Sequence, residues 1–146
     1  MLLRHFFLTL PLIVVASQAA SAESVSLLAD AAEYTVKIQA LNSLALNQDD
    51  AGARFGSGFV IDRQRGWLLT NAHVASSSPS KIHVVFRNGA EVQATRIHVD
   101  SYIDFAVLAI PANSVPLNTQ EATLACDDLP EPGTPVLAYG HPWGLP

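Results

Sequence analysis

The sequence predicts an all-β fold, a barrel or a sandwich, with one short helix ahead of the strands. Three observations lead there. Short apolar or alternating runs recur at close spacing from Tyr34 onward. Turn residues punctuate them, most clearly Asn88-Gly89-Ala90 between two alternating runs. Only Ser24 to Glu33 has a helical grouping of apolar residues. The 146 residues are 49% hydrophobic and 14% charged, a balance that forms a core and excludes a disordered chain.

The opening "MLLRHFFLTLPLIVVASQAASA" has Arg4 near its start, an apolar run from Phe6 to Ala16, and then small residues ending Ala20-Ser21-Ala22. That is the plan of a cleavable secretory leader, with cleavage expected after Ala22. The protein is then expected to be secreted or periplasmic, meeting a membrane only if the leader stays attached. The apolar run is short beside the roughly 20 residues a bilayer span needs.

In "SVSLLADAAE", Leu27, Leu28, Ala31 and Ala32 group on one side of a helix that Ser24 or Ser26 could cap. "YTVKIQAL" alternates as a half-buried strand does, and "NSLALNQDDAGA" reads as a loop. "RFGSGFVID" and "GWLLT" are strands joined by the tight link "RQRG". "KIHVVFR" and "EVQATRIHV" form a hairpin about Asn-Gly, both of which tolerate positive φ. "DFAVLAI" is continuous enough to be a fully buried strand, and "TPVLAYG" is expected to be the last. Cys126 is alone, so no internal disulfide forms. It is expected to be a small, partly buried apolar residue rather than a catalytic thiol.

Net charge is −5, and the Lys and Arg residues are scattered, so no basic cluster offers a nucleic-acid surface. The histidines at 73, 83, 98 and 141 form no close pair, and no metal-ligand spacing appears. Neither metal nor cofactor is expected. His73 stands apart because it follows "GWLLT" at once, where a chain turns and displays a side chain. Its small neighbours Ala72 and Ala75 leave room beside the ring. Asp104 heads "DFAVLAI". A general-base histidine needs its second ring nitrogen held by an acceptor, which fixes the tautomer and stabilises the imidazolium. From the residues alone, Asp104 is either that acceptor, buried and hydrogen-bonded, or merely the end of a turn.

The runs "GSGFVID", "LLTNAHV", "DFAVLAI" and "GTPVLAYGHPWGL" together resemble the HtrA (Do-like, DegP-type) branch of the trypsin-like serine proteases, in that branch's order and over Tyr34 to Leu145. The resemblance implies a trypsin-like (chymotrypsin-fold) six-stranded N-terminal barrel. It implies His73 as general base and Asp104 as its orienting partner, while Asp100 matches an upstream aspartate that is not catalytic. It also implies polypeptide substrates and, by analogy, a homo-oligomer. His141 stands where the branch usually has asparagine and reads as a loop substitution. The single cysteine separates the chain from disulfide-bracketed digestive trypsins.

The branch carries its nucleophile in a Gly-Asn-Ser-Gly-Gly motif of a second barrel, and no such motif occurs in these residues. Ser57 lies in a structural strand. Ser76, Ser77 and Ser78 read as a solvated loop with no donor-rich turn to form an oxyanion hole. The expected organisation is therefore a leader at 1–22, a helix at 23–33, a first barrel at 34–132, and the opening of a second at 133–146. The function expected is an extracytoplasmic serine endopeptidase, of which this is an N-terminal part lacking the nucleophilic serine and inactive alone. The alternative is a silent half-barrel, either a binding module or a degraded gene product. N-terminal sequencing of the protein from its host is expected to start at Glu23; a chain that still begins at Met1 would refute leader cleavage.

Overall fold

The computed structural model describes residues 24–46, 49–126 and 129–141. The expected leader and most of the "GHPWGL" run lie outside them. Helix α1 covers 24–34, and Ser26 lies within it rather than at its cap. Six strands follow: β1 (Thr35–Asn42), β2 (Gly52–Asp62), β3 (Trp67–Thr70), β4 (Ser80–Val85), β5 (Glu91–Asp100) and β6 (Phe105–Ala109), with a four-residue helix α2 (Ala72–Ala75) between β3 and β4. A single 3₁₀ turn, Ala112–Ser114, comes after β6.

The strands close into an antiparallel barrel in the order β1-β2-β3-β6-β5-β4, with β4 returning to β1. Closure is possible because the two longest strands turn corners. β2 pairs with β1 along Gly52–Phe59 and with β3 along Gly58–Asp62, with a bulge between Val60 and Asp62. β5 does the same between β4 and β6, with its bulge between Arg96 and His98. A bulge adds a residue to one strand and increases its twist, which lets one strand serve two faces of a small barrel.

The interior follows the expected alternation. Val36, Ile38 and Ala40 of β1 point inward at 2% exposure or less, and meet Val60, Leu68, Ile82, Val84 and Leu108. "DFAVLAI" is not buried on both sides. Ala106, Leu108 and Ile110 are in the core, while Phe105, Val107 and Ala109 are half-covered on the outer face. In a single closed barrel only alternate residues can reach the inside. Helix α1 likewise contributes less than its sequence grouping implied. Ala32 is buried and Leu28 and Ala31 are half-buried, but Leu27 is 53% exposed.

The β4–β5 hairpin forms, with one change. Gly89 N–H donates to the Phe86 carbonyl at 2.9 Å, and Phe86 N–H to Ala90 at 2.9 Å. Gly89 alone takes positive φ, at 83°. This is the three-residue loop ending in a left-handed glycine, not the two-residue turn that needs both residues there. Asn88 instead uses its side-chain oxygen to accept from Ala90 N–H at 3.0 Å.

The expected last strand is absent: Thr134–Gly140 forms no ladder. A strand needs an edge to pair with, and a closed barrel has none. The segment instead ends against the outside of β2, where His141 N–H donates to Ser57 Oγ at 2.7 Å. Cys126 is exposed on the strand-free segment outside the barrel, not partly buried as expected. Among the described residues no helix is long and apolar enough to cross a membrane.

Close approaches require glycine at Gly66 and favour it at Gly56. Gly66 has φ of 68°, and a Cβ there would lie 2.2 Å from the Ile110 carbonyl oxygen. Ile110 cannot retreat easily, since its N–H donates to the Gly66 carbonyl at 2.9 Å. A Cβ on Gly56 would lie 2.4 Å from Val74 Cγ2, the residue by which α2 packs on the barrel. Gly66→Ala is expected to cost at least about 1–3 kcal/mol, read as a lower urea midpoint. An unchanged midpoint would show that this turn is free to relax.

Candidate active site

The β3–β6 ladder sets Thr70 opposite Ala106. The chain leaving β3 and the chain entering β6 therefore meet at one rim, which brings His73 to Asp104. Asp104 adopts φ of 54°, a left-handed conformation that Asp tolerates better than most residues. The preceding turn is shaped by Asp100, whose Oδ1 accepts from Tyr102 N–H at 2.9 Å and Ile103 N–H at 3.3 Å. Asp100 thus shapes the turn that leads into Asp104.

Asp104 grips His73 twice. Oδ1 accepts the His73 backbone N–H at 2.9 Å, and Oδ2 lies 2.7 Å from the ring Nδ1. The first turn of a helix has N–H groups without intrahelical partners. In α2 the Ncap residue Asn71 makes no side-chain cap bond. Its amide donates instead to Asp104, to Oδ2 at 3.0 Å and to the carbonyl at 3.2 Å. One carboxylate from a neighbouring strand therefore caps the helix start and holds the ring. Burial raises the Asp104 pKa, but the bonds from the His73 N–H and ring, the His73 charge and the Asn71 amide outweigh it and leave it lowered.

The pair is open to water. The His73 side chain is 66% exposed and Asp104 is 45% exposed, rather than buried as expected for an orienting carboxylate. The reason is placement: the rim of the barrel has no covering layer among the described residues. Ala72 and Ala75 turn toward the core. They are 5% and 0% exposed and pack α2 against the core together with Val74. Two surface depressions, of about 370 and 610 Å³, lie elsewhere, lined in part by Phe86, Arg87 and Pro116 and by Arg63 and Glu121 respectively. Among the described residues no three His, Cys, Asp or Glu side chains cluster as a metal ion requires.

The serines are committed to other partners. Ser57 Oγ accepts from His141, and Ser77 Oγ lies 3.1 Å from Ser101 Oγ. Ser76 and Ser78 are fully buried, contrary to the expectation of a solvated loop. Asp49 explains this and was missed in the sequence. Its Oδ2 accepts from Ser76 Oγ at 2.6 Å, Ser77 N–H at 3.0 Å and Ser78 N–H at 2.9 Å. The hydroxyl bond to Ser76 is the largest influence on the Asp49 carboxyl, followed by an opposing effect of burial, and the Ser78 and Ser77 bonds add to the first. The carboxyl is held far below its usual range. The only sequence signal was a pair of aspartates in a loop ahead of a triple serine.

A six-stranded antiparallel barrel with a His–Asp pair at its β3–β6 rim is the architecture of one half of a trypsin-like peptidase. A family model described as trypsin-like peptidase domain matches residues 56–146, more than half of the chain, and the chain belongs to that family. Its relatives place it on the HtrA-type branch. It is 35% identical over 111 residues to the serine endoprotease DegS of Salmonella typhimurium, covering 73% of this chain and 28% of that protein. It is 32% identical over 90 residues to a probable periplasmic serine endoprotease, DegP-like, of Buchnera aphidicola, covering 62% and 18%. A third relative, the pro-apoptotic serine protease NMA111 of Chaetomium globosum, is 29% identical over 109 residues, covering 75% and 11%. The chain thus spans 28% or less of the length of these relatives.

Asp49 and Asp104 both have lower pKa values folded than unfolded. Their contribution to stability is complete above about pH 4 and is lost as pH falls below it. Asp49→Asn is expected to lower stability at pH 7 and to flatten its decline between about pH 4 and pH 2. Urea unfolding across that range checks it; an acid limb as steep as in the parent chain would contradict it.

Proposed function

We propose that His73 and Asp104 are the general base and orienting carboxylate of a serine endopeptidase that cleaves polypeptides outside the cytoplasm. The nucleophilic serine and oxyanion donors are proposed to lie outside these residues, so that this chain by itself is inactive. The observation that supports this most is the double grip of Asp104 on His73, with Nδ1 2.7 Å from Oδ2, on a barrel of this family. Extracytoplasmic action rests on the leader-like N-terminus and on the similarity to a probable periplasmic endoprotease.

The chemistry is acyl transfer. The serine oxygen attacks the peptide carbonyl carbon as its proton passes to His73 Nε2. Asp104 holds Nδ1–H and stabilises the imidazolium. The C–N bond then breaks, and the Nε2 proton leaves with the amine. Water repeats the sequence on the acyl-enzyme, giving up a proton to Nε2, which returns it to the serine. Neither metal nor cofactor takes part.

The test is labelling by a fluorophosphonate probe of the protein purified from its host, with its intact mass. Labelling is expected, together with a mass larger than Glu23–Pro146. His73→Ala is expected to abolish it, and Asp104→Asn to slow it on the order of 10³–10⁴-fold. An unlabelled protein whose mass matches Glu23–Pro146 would overturn the reading in favour of a non-catalytic barrel.

A further inference from the structure

The backbone of His73 has two groups that a four-residue helix leaves without intrahelical partners, and side chains take both. Asp104 takes the N–H. Arg54 takes the carbonyl, donating from Nη1 at 3.0 Å. Arg54 is held by Asp49, Nη2 to Oδ1 at 2.9 Å, with side-chain exposures of 23% and 13%. Through its other oxygen, Asp49 holds the turn that ends α2. That turn contains Ser76 at φ 64°, a strained conformation for serine that these bonds maintain.

The loop carrying Asp49 is fastened in turn. Leu46 exchanges both backbone groups with Ser78 Oγ, at 2.9 and 3.1 Å. The buried Asn42 amide donates to the Asp50 carbonyl at 3.0 Å. Arg96 adds a bond to the Ser76 carbonyl. The result is a continuous set of contacts from the β1–β2 loop to the backbone of His73.

We propose that Asp49 and Arg54 are positioning residues for His73: the ion pair fixes the carbonyl of His73 and the end of α2, and so keeps the ring aimed at Asp104. Its catalytic consequence rests on the protease reading above, but its structural content does not. An ion pair on the open surface contributes little to stability, whereas this one is largely covered. The bond to His73 gives this one a local effect that a surface pair lacks.

The test reads the ring directly. In ¹⁵N-labelled chain at alkaline pH, where imidazole is neutral, an acceptor at Nδ1 selects the Nδ1–H tautomer. Asp49→Asn and Arg54→Gln are expected to move the His73 ring ¹⁵N shifts toward those of an unrestrained imidazole, leaving the amide shifts of β3 and β6 in place. Arg54→Lys keeps the charge and is expected to restore part of the parent signature. Should Asp49→Asn fail to fold, the more exposed Arg54 variants decide. Parent ring shifts in both Arg54→Gln and Asp49→Asn overturn the proposal. In the whole protease, kcat is expected to fall about 10- to 100-fold at unchanged KM. Variants that turn over at the parent rate overturn it too. A parent protein without activity would sink the protease reading instead, and the ring shifts would still decide the brace.

Discussion

The pairing of β3 with β6, Thr70 opposite Ala106, is the constraint on which the rest of the site depends. His73 comes three residues after one partner and Asp104 two residues before the other. Neither side chain is near the other in sequence, and neither element alone could aim them. A slip of one residue would turn the buried Leu68 and Leu108 outward, so the core that fixes the register also fixes the pair. The 2.7 Å approach of Nδ1 to Oδ2 thus depends on a register set by residues remote from both groups.

Around that ladder, polar groups solve local problems in ways that bear on the chemistry. Asp104 is both helix cap and ring partner. Asn71 gives up its own capping bond to steady Asp104. Asp100 bends the turn that presents it. Each is ordinary secondary-structure termination, and together they orient one imidazole. Asp49 extends the pattern by binding three consecutive serines with one oxygen while it anchors Arg54 with the other.

What was legible in the sequence was what depends on near neighbours. Alternation at Val36 and Ile38, the Asn88-Gly89 turn and the strand leading to His73 each announce themselves within a few residues. What was not legible depends on distant partners. Ser76 and Ser78 read as solvated because serine clusters are polar, and their burial rests on partners far back along the chain, Asp49 and Leu46. Thr134–Gly140 has strand composition, but composition cannot say whether an edge is free. Phe105 and Val107 look like core residues, and barrel closure alone decides that they face outward. The openness of His73 and Asp104 was also beyond reach, since exposure is set by what covers a rim.

That openness has a consequence for descent. Exposed ion pairs add little to folding free energy, because water screens them. The barrel's stability lies in the buried Ile38, Leu68, Ile82 and Leu108, away from the exposed rim. A lineage carrying this domain can exchange or lose His73 without losing the fold, since selection on folding does not see the ring. The scaffold therefore outlasts any one activity built on its rim, and inactive descendants of such a barrel remain well-folded proteins, available for other uses.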